Sequence, residues 1–305
     1  MAKQLQEQTQ EHYDKYHFIE GGPQRVAWWK EYLSEFLSDS DLRDRFVADI
    51  GSSVGEISRG LIDRGARLCC LDLSMESLRR CRINNPEAYV LHGSALELPF
   101  PNESFDCVVS IGVLHHTPNC RKGFAEVARV TAPGGAVVVF LYNYWNIYNV
   151  IYNAFKPVRA VVPLDSVPSG MLAMLQPFVK SHLGQTLDDA QLRNLLGDKL
   201  WTPQATFHSV AEVRRWGLES GLTLTKTKKF FLGYANVMRF EKAGTKATGR
   251  RDLALRCLHC GGRMAQDAGG YSCEKCSRSF SLDNGIIDCL KPQEASLAPG
   301  SRASA

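Results

Sequence analysis

The sequence predicts an α/β protein built on a largely parallel sheet, with a small metal-stabilised module near its C-terminal end. Three features predict it. From Phe46 onward, short apolar runs alternate with amphipathic helical segments, the grammar of repeated βαβ units. Runs such as Cys107–Ile111 and Ala136–Phe140 are apolar on both faces, as strands covered by helices on either side must be. Two Cys-x-x-Cys pairs, Cys257 with Cys260 and Cys273 with Cys276, stand near the end.

Residues 4–18 and 24–38 read as two helices around a Gly21-Gly22-Pro23 break, the second with Val26, Trp29, Leu33, Phe36 and Leu37 at helical spacing. They form an N-terminal cap, residues 1–40. A main domain over 41–242 follows, with strand 46–50, helix 55–64, strand 67–71, helix 75–84, strands 89–92 and 105–111, helix 119–130 and strand 136–141. Residues 143–200 interrupt the alternation with an insertion rich in Tyr, Trp, Leu and Pro. A capping-box pair, Ser209 and Glu212, then opens helix 210–220, which Gly221 ends. Strands 222–230 and 235–242 read as an antiparallel pair finishing the sheet. Residues 243–252 are a linker, 253–291 the cysteine module, and 292–305, poor in large apolar side chains, a disordered tail.

At 44% hydrophobic and 22% charged over 305 residues, the composition excludes a fibre or a disordered chain. The net charge of +4 is too small to indicate nucleic acid by itself, but it is uneven. Residues 223–263 hold ten Lys/Arg against Glu241 and Asp252, which leaves −4 elsewhere, so an anionic partner is expected to meet the C-terminal third. The first seventeen residues lack the apolar core of a signal peptide, and no lipidation signal is present, so the expected compartment is the cytoplasm. Cys69, Cys70, Cys81, Cys107 and Cys120 lie in or beside apolar segments and read as buried free thiols. In a reducing compartment the paired cysteines point to metal rather than disulfide.

The stretch Val47-Ala-Asp-Ile-Gly-Ser-Ser-Val-Gly55 reads as a strand turning sharply into a helix. Gly51 permits backbone angles closed to other residues and close approach of a ligand, and the helix behind it offers unpaired N–H groups. A dinucleotide loop needs Gly-x-Gly-x-x-Gly, and the middle glycine is absent here. Asp49, at the strand's end, would repel a pyrophosphate but suits a cationic ligand, and S-adenosylmethionine carries both a sulfonium and an ammonium. Asp72 closes the next strand, placed to accept hydrogen bonds from ribose hydroxyls or to cap the following helix.

The later words follow in order: Asp49-Ile-Gly-x-x-x-Gly55, Leu71-Asp-Leu-Ser-Met75, Leu98-Pro-Phe-Pro101, Ser104-Phe-Asp-x-Val-Val-Ser110, Val113-Leu-His-His116 and Glu126-x-x-Arg-Val-x-x-Pro-Gly-Gly135. With them, residues 46–142 resemble class I S-adenosylmethionine-dependent methyltransferases, in the group that includes the ubiquinone/menaquinone C-methyltransferases. The resemblance implies a doubly wound, seven-stranded sheet with the final strand antiparallel. It also implies that Asp49, Gly51 and Gly55 line the methionine end of the cofactor, Asp72 the ribose, Ser74 and Met75 the adenine surroundings, and Ser94 and Ala95 the adenine edge. Ser53, Leu73 and Ile111 complete that set. Two positions depart from the family pattern: Ser53 stands where glycine is usual, and Ser94 where an aspartate commonly meets the adenine amino group. Losing that charge-assisted bond costs roughly 1 kcal/mol, so a weakened cofactor affinity is expected.

Methyl transfer is an in-line displacement in which the protein mainly aligns the reacting atoms, and a base is needed only if the acceptor must lose a proton. His115 and His116, just past the fourth strand, are candidates for that base or for packing and ordering of the cofactor loop. Tyr13, Tyr16, His17, Tyr142 and Asn143 are further candidates. In the insertion, Asn143, Asn146, Asn149 and Asn153 recur near helical spacing, with Tyr144, Ile147, Tyr148, Ile151, Tyr152 and Phe155 on the complementary face. This face packs into the core, or forms a lid over an apolar acceptor, or meets a lipid-like substrate at a membrane surface; the polar asparagines argue against a membrane span.

Cys257, Cys260, Cys273 and Cys276 form a four-thiolate set suited to tetrahedral Zn2+, which a module of about forty residues needs because its own core is small. His259 is expected to be exposed and Cys289 buried. The segment Leu255–Leu290, including Phe280-x-x-x-x-Gly285-Ile, resembles the zinc ribbon of the small activator subunits that partner tRNA and release-factor methyltransferases. A related ribbon precedes the catalytic domain in certain ribosomal RNA guanine methyltransferases, whereas here it follows. Its role is structural or that of a docking surface for a protein partner. The leading functional reading is a methyltransferase for a small, apolar or partly apolar acceptor, at O, N or C. An RNA methyltransferase is the second reading, opposed by the lack of an Asn-Pro-Pro-Tyr-like tetrad and of aromatic residues interleaved with the basic run. A non-catalytic adaptor is the third.

Overall fold

The computed structural model describes residues 2–16, 22–183, 186–246, 249 and 251–294. Three helices, α1 (Ala2–Lys15), α2 (Gly22–Ser34) and α3 (Asp39–Leu42), precede the alternating region. That region runs β1 (Phe46–Ile50), α4 (Glu56–Ile62), β2 (Arg67–Asp72), α5 (Met75–Asn84), β3 (Tyr89–His92), β4 (Phe105–Ile111), α6 (Cys120–Val130) and β5 (Thr131–Tyr142). The insertion folds into α7 (Ile147–Ala154), α8 (Lys156–Val161), α9 (Ser169–Ala173), α10 (Gln176–Leu183) and α11 (Asp189–Leu196), ending in a wide turn at Gly197–Trp201. Then come α12 (Val210–Glu219), β6 (Leu222–Phe230) and β7 (Ala235–Lys242). The cysteine module holds β8 (Leu255–Arg256), β9 (Arg263–Asp267), β10 (Gly270–Cys273), β11 (Arg278–Asp283) and β12 (Ile286–Glu294).

Strands β1 to β5 pair in parallel, in the order β5-β4-β1-β2-β3, and β7 lies antiparallel between β5 and β6. Alternate residues of each strand feed opposite cores. Val47, Leu68, Val109 and Val138 pack with Leu33, Leu61 and Leu78 under α2, α4 and α5. Ala48, Cys69, Val108 and Val137 pack with Phe124, Val213 and Trp216 under α6 and α12. Burial on both faces explains why these strands read as unbroken apolar runs.

The expected seven-stranded sheet is revised. β12 pairs in parallel with β3, matching Ile286 to Val90, Ile287 to Leu91 and Asp288 to His92, so the described sheet continues through the cysteine module to twelve strands. Phe280, Ile287 and Cys289 of the module join the core that holds Cys69 and Leu71. Residues 292–294, expected in the tail, belong to β12, and 295–305 lie outside the described residues. The segment read as a linker is pinned: Arg251 pairs with Asp106 at 3.1 Å, and the Tyr89 hydroxyl donates to Asp252 at 2.9 Å. Ser209 caps α12 by accepting from the Glu212 amide, but Glu212 turns to His208 at 3.2 Å, so the reciprocal half of the capping box is absent.

In the insertion, the aromatic face splits. Tyr152 is buried and Tyr148 half-buried beneath α7, whereas Ile147, Val150 and Ile151 point outward and Trp145 is 77% exposed. α9 to α11 enclose a small core of their own, Leu172, Val179, Leu187 and Leu192. No helix among the described residues is long and apolar enough to cross a membrane.

Candidate functional site

The strand order reverses at β1, flanked by β2 and β4, and at such a switch point the loops behind the strands' C-terminal ends part to form a crevice. Gly51, Ser53 and Gly55 all adopt the left-handed conformation there, with φ of 83°, 49° and 84°. A Cβ on Gly51 would overlap the Val113 isopropyl group, so only glycine fits. Ser53 occupies a backbone region that disfavours its side chain; the hydrogen bond from its amide to Asp72 Oδ2, 2.8 Å, offsets part of that strain. Asp72 Oδ1 accepts from the Ser74 amide, also at 2.8 Å, which ties the glycine loop to the start of α5. The helix cap itself is Ser74, whose Oγ accepts from Ser77.

Asp49 is buried at the end of β1, and its Oδ2 accepts from the Ser58 hydroxyl at 2.7 Å. Burial, reinforced by the Asp72 charge, pushes its carboxyl up to about 7 despite that hydrogen bond. Burial likewise raises Asp72. Leu73, Met75, Ser94 and Ile111 are half-buried around the crevice, and Ala95 is buried behind Ser94. The structure therefore gathers Asp49, Gly51, Ser53, Gly55, Asp72, Leu73, Ser74, Met75, Ser94, Ala95 and Ile111 at the C-terminal ends of β1 to β4. Two surface concavities of 680 and 440 Å³ lie around Ala27, Lys30 and Asp63, and neither is lined by Asp49, Asp72, Ser94 or His116. Instead α1 lies over the crevice.

His115 and His116 sit on a single 3-10 turn after β4, both buried. His116 Nδ1 is 2.8 Å from the Gln204 carbonyl, and burial lowers its pKa to about 4. His115 packs against Tyr142 with ring centroids 3.8 Å apart, and burial with the neighbouring His116 lowers its pKa well below the usual value. Both imidazoles are therefore neutral at pH 7. Around them the fold assembles groups the sequence reading missed. Asp198 and Lys199, on the wide turn, pair at 2.6 Å. Burial alone would raise Asp198, but Lys199 beside it holds it below the usual carboxylate range. The Tyr13 hydroxyl lies 3.4 Å from both Asp198 Oδ1 and Thr202 Oγ1, and its ring is 5.9 Å from His116. Lys199 also reaches the Tyr142 hydroxyl at 3.3 Å. The available signal was an Asp-Lys pair between Leu195-Leu196 and Leu200-Trp201. Tyr16 pairs instead with Asp165 at the surface, Asn143 holds the 233–234 backbone, and His17 lies outside the described residues.

In the module, the four Sγ atoms of Cys257, Cys260, Cys273 and Cys276 lie within 4.8 Å of one another, with Cys257 to Cys276 at 3.6 Å and Cys260 to Cys273 at 3.4 Å. Tetrahedral Zn–S bonds of about 2.3 Å place sulfurs roughly 3.8 Å apart, so the cluster fits zinc. His259 is exposed and Cys289 buried.

The basic run is largely neutralised within the chain. Lys228 pairs with Glu35, Arg239 and Lys246 with Asp41, and Arg256 approaches Glu126 at 3.6 Å. Lys242 donates to the Ala128 and Thr131 carbonyls. The charge excess that pointed to an anionic partner is mostly the counter-charge of residues earlier in the chain.

Residues 48–139 match the family described as a methyltransferase domain. The chain is 31% identical over 115 residues to a demethylmenaquinone methyltransferase of Renibacterium salmoninarum, covering 38% of this chain and 45% of that protein. It is 29% identical over 167 residues to the enzyme of the same name from Paenarthrobacter aurescens, covering 50% and 65%. A third relative, a chloroplastic 2-methyl-6-phytyl-1,4-hydroquinone methyltransferase of Spinacia oleracea, is 30% identical over 114 residues, covering 35% and 33%. The chain thus spans between a third and two thirds of these relatives. Among solved structures, a magnesium protoporphyrin IX methyltransferase of Synechocystis PCC 6803 with bound SAM is similar over 72% of this chain and 79% of that one, at 12% identity and a TM-score of 0.46.

Proposed function

From a methyltransferase domain over residues 48–139, we propose that the chain is an S-adenosylmethionine-dependent methyltransferase acting on a small, apolar or partly apolar acceptor of the quinone or hydroquinone type. The observation that carries the reading is the pair of carboxylates at the switch point, Asp49 under the glycine loop and Asp72 across it, in the segment that the domain match covers. When bound, the cofactor supplies an electrophilic methyl group. Asp49 lends negative charge to its cationic end, Asp72 accepts from ribose hydroxyls, and Ser94 with Ala95 meets the adenine edge. Asp72 keeps acceptor capacity beyond its two backbone amides, because an ionised carboxylate has about four lone-pair sites.

An acceptor that must lose a proton is served by His116 rather than His115. An Nδ1–H donated to Gln204 leaves Nε2 as the unprotonated nitrogen, and an imidazole with its pKa lowered to about 4 stays available throughout the neutral range. Tyr13, Asp198 and Thr202 surround it with polar groups. The test is transfer of radiolabelled methyl from the cofactor into fractionated cell extract. Label is expected in the lipid-soluble, small-molecule fraction, and His116→Asn should lower turnover about 100-fold or more for an acceptor that loses a proton. Label confined to RNA or protein would overturn the acceptor assignment. The neutralised basic run already speaks against RNA.

We further infer that Cys257, Cys260, Cys273 and Cys276 hold one structural Zn2+, since a closed four-thiolate set leaves no open position for chemistry. Metal analysis should return one zinc per chain.

A further inference from the structure

Besides Tyr13, α1 turns polar side chains toward the crevice. Gln6 and Asp14, about two turns apart on α1, each hydrogen-bond to a residue at the rim of the crevice. The Ser94 hydroxyl donates to Gln6 Oε1 at 3.1 Å, and the Ser74 hydroxyl donates to Asp14 Oδ1 at 2.7 Å. No described residue of α1 belongs to any of the three apolar cores. Apart from the Tyr13 ring against His116, the helix is held largely by polar contacts. Those contacts converge on Ser74 and Ser94, the residues assigned above to the adenine side of the cofactor.

We propose that α1 is part of the cofactor site, with Gln6 contacting the adenine edge and Asp14 the neighbouring ribose, so that the adenosyl group completes the docking of the helix. The inference rests on the cofactor reading above. Ser94 alone offers a hydroxyl where the resemblance expects a carboxylate. The Gln6 carboxamide beside it restores a carbonyl acceptor for the adenine amino group, and its NH2 is a donor for the adjacent ring nitrogen. The Oε1 atom keeps a second lone pair while accepting from Ser94. The two irregularities are thus linked: a serine replaces the expected acid, and a glutamine arrives from a helix outside the alternating fold.

The test uses the full chain with S-adenosylhomocysteine as the probe, which binds without turnover. Calorimetry should show Gln6→Ala weakening binding about tenfold, Glu7→Ala on the exposed side leaving it unchanged, and Gln6→Ala combined with Ser94→Ala costing less than the two separately. Hydrogen exchange should show the amides of residues 2–15 gaining protection when the probe binds. Wild-type binding with unchanged affinity in Gln6→Ala, and no added protection of α1, would overturn the inference while leaving the cofactor reading intact. Failure of the wild-type chain to bind at millimolar probe would overturn both.

Discussion

Asp49 is the residue whose ionisation the crevice has to manage. Its native pKa of about 7 lies above the ordinary carboxylate value, so between those values the native state holds a proton that the unfolded chain has released. Asp49's contribution to stability is therefore fully present in acid and is lost as pH rises through about 7. Asp49→Asn should flatten this part of the pH–stability profile of the cofactor-free protein. Cofactor binding runs the other way, because a cationic ligand favours the carboxylate. Calorimetric affinity for S-adenosylmethionine should fall as pH drops below 7, by up to about tenfold per pH unit, and a flat profile from pH 5.5 to 8 would contradict the role given to Asp49. Ser53 offers a second reading at this scale. Its φ of 49° is a glycine conformation, so Ser53→Gly should stabilise the fold by about 0.5 to 1 kcal/mol in urea titration, since the backbone N–H hydrogen bond to Asp72 survives the change.

At the scale of elements, α7 and the turn before β7 make one exposed apolar edge. Asn143 and Asn146 donate to the carbonyls of Gly233 and Leu232, which sets Leu232, 80% exposed, beside Trp145 and Ile147. The contributing segments, residues 143–163 and 222–234, carry no acidic residue; of their cations Lys228 is paired with Glu35, and Lys156, Lys226 and Lys229 flank the edge. An apolar edge with cationic flanks suits an anionic bilayer, where an acceptor of the type proposed above would dissolve. Co-sedimentation with vesicles containing anionic lipid should fall about tenfold in a Trp145→Ala, Leu232→Ala variant, with methyl transfer to a short-chain soluble acceptor retained. Equal sedimentation of variant and wild type would place the acceptor's entry elsewhere.

For the whole molecule, the decisive feature is that the cysteine module is sewn into the main sheet. Asp288 of β12 lies 2.9 Å from His92 Nδ1, and His92 Nε2 lies 3.0 Å from the Leu73 carbonyl, so a module residue braces the segment that carries Asp72 and Ser74. Metal removal should then be felt beyond the module. Chelation is expected to cost on the order of several kcal/mol and to expose the β3 amides to hydrogen exchange together with residues 253–294. Unchanged β3 protection in the stripped protein would mean that β12 docks without metal.

Much of this architecture is legible in the chain itself, because local periodicity and turn chemistry act over a few residues. β3, β4, β6 and β7 begin and end where their patterns predict, α5 spans the predicted residues, and the glycine loop and thiolate knuckles announce themselves by spacing. What the tertiary structure decided are pairings between distant residues, to which no local pattern responds. Asp288 meets His92 across 196 positions, Asp198 meets Tyr13 across 185, and the basic run finds its counter-ions in Glu35 and Asp41. The sequence by itself determined the alternating fold, the switch-point carboxylates and the thiolate set. Only folding decided that the module extends the sheet, that a polar helix covers the crevice and that the positive charge is spent at home, because each depends on the packing of whole elements.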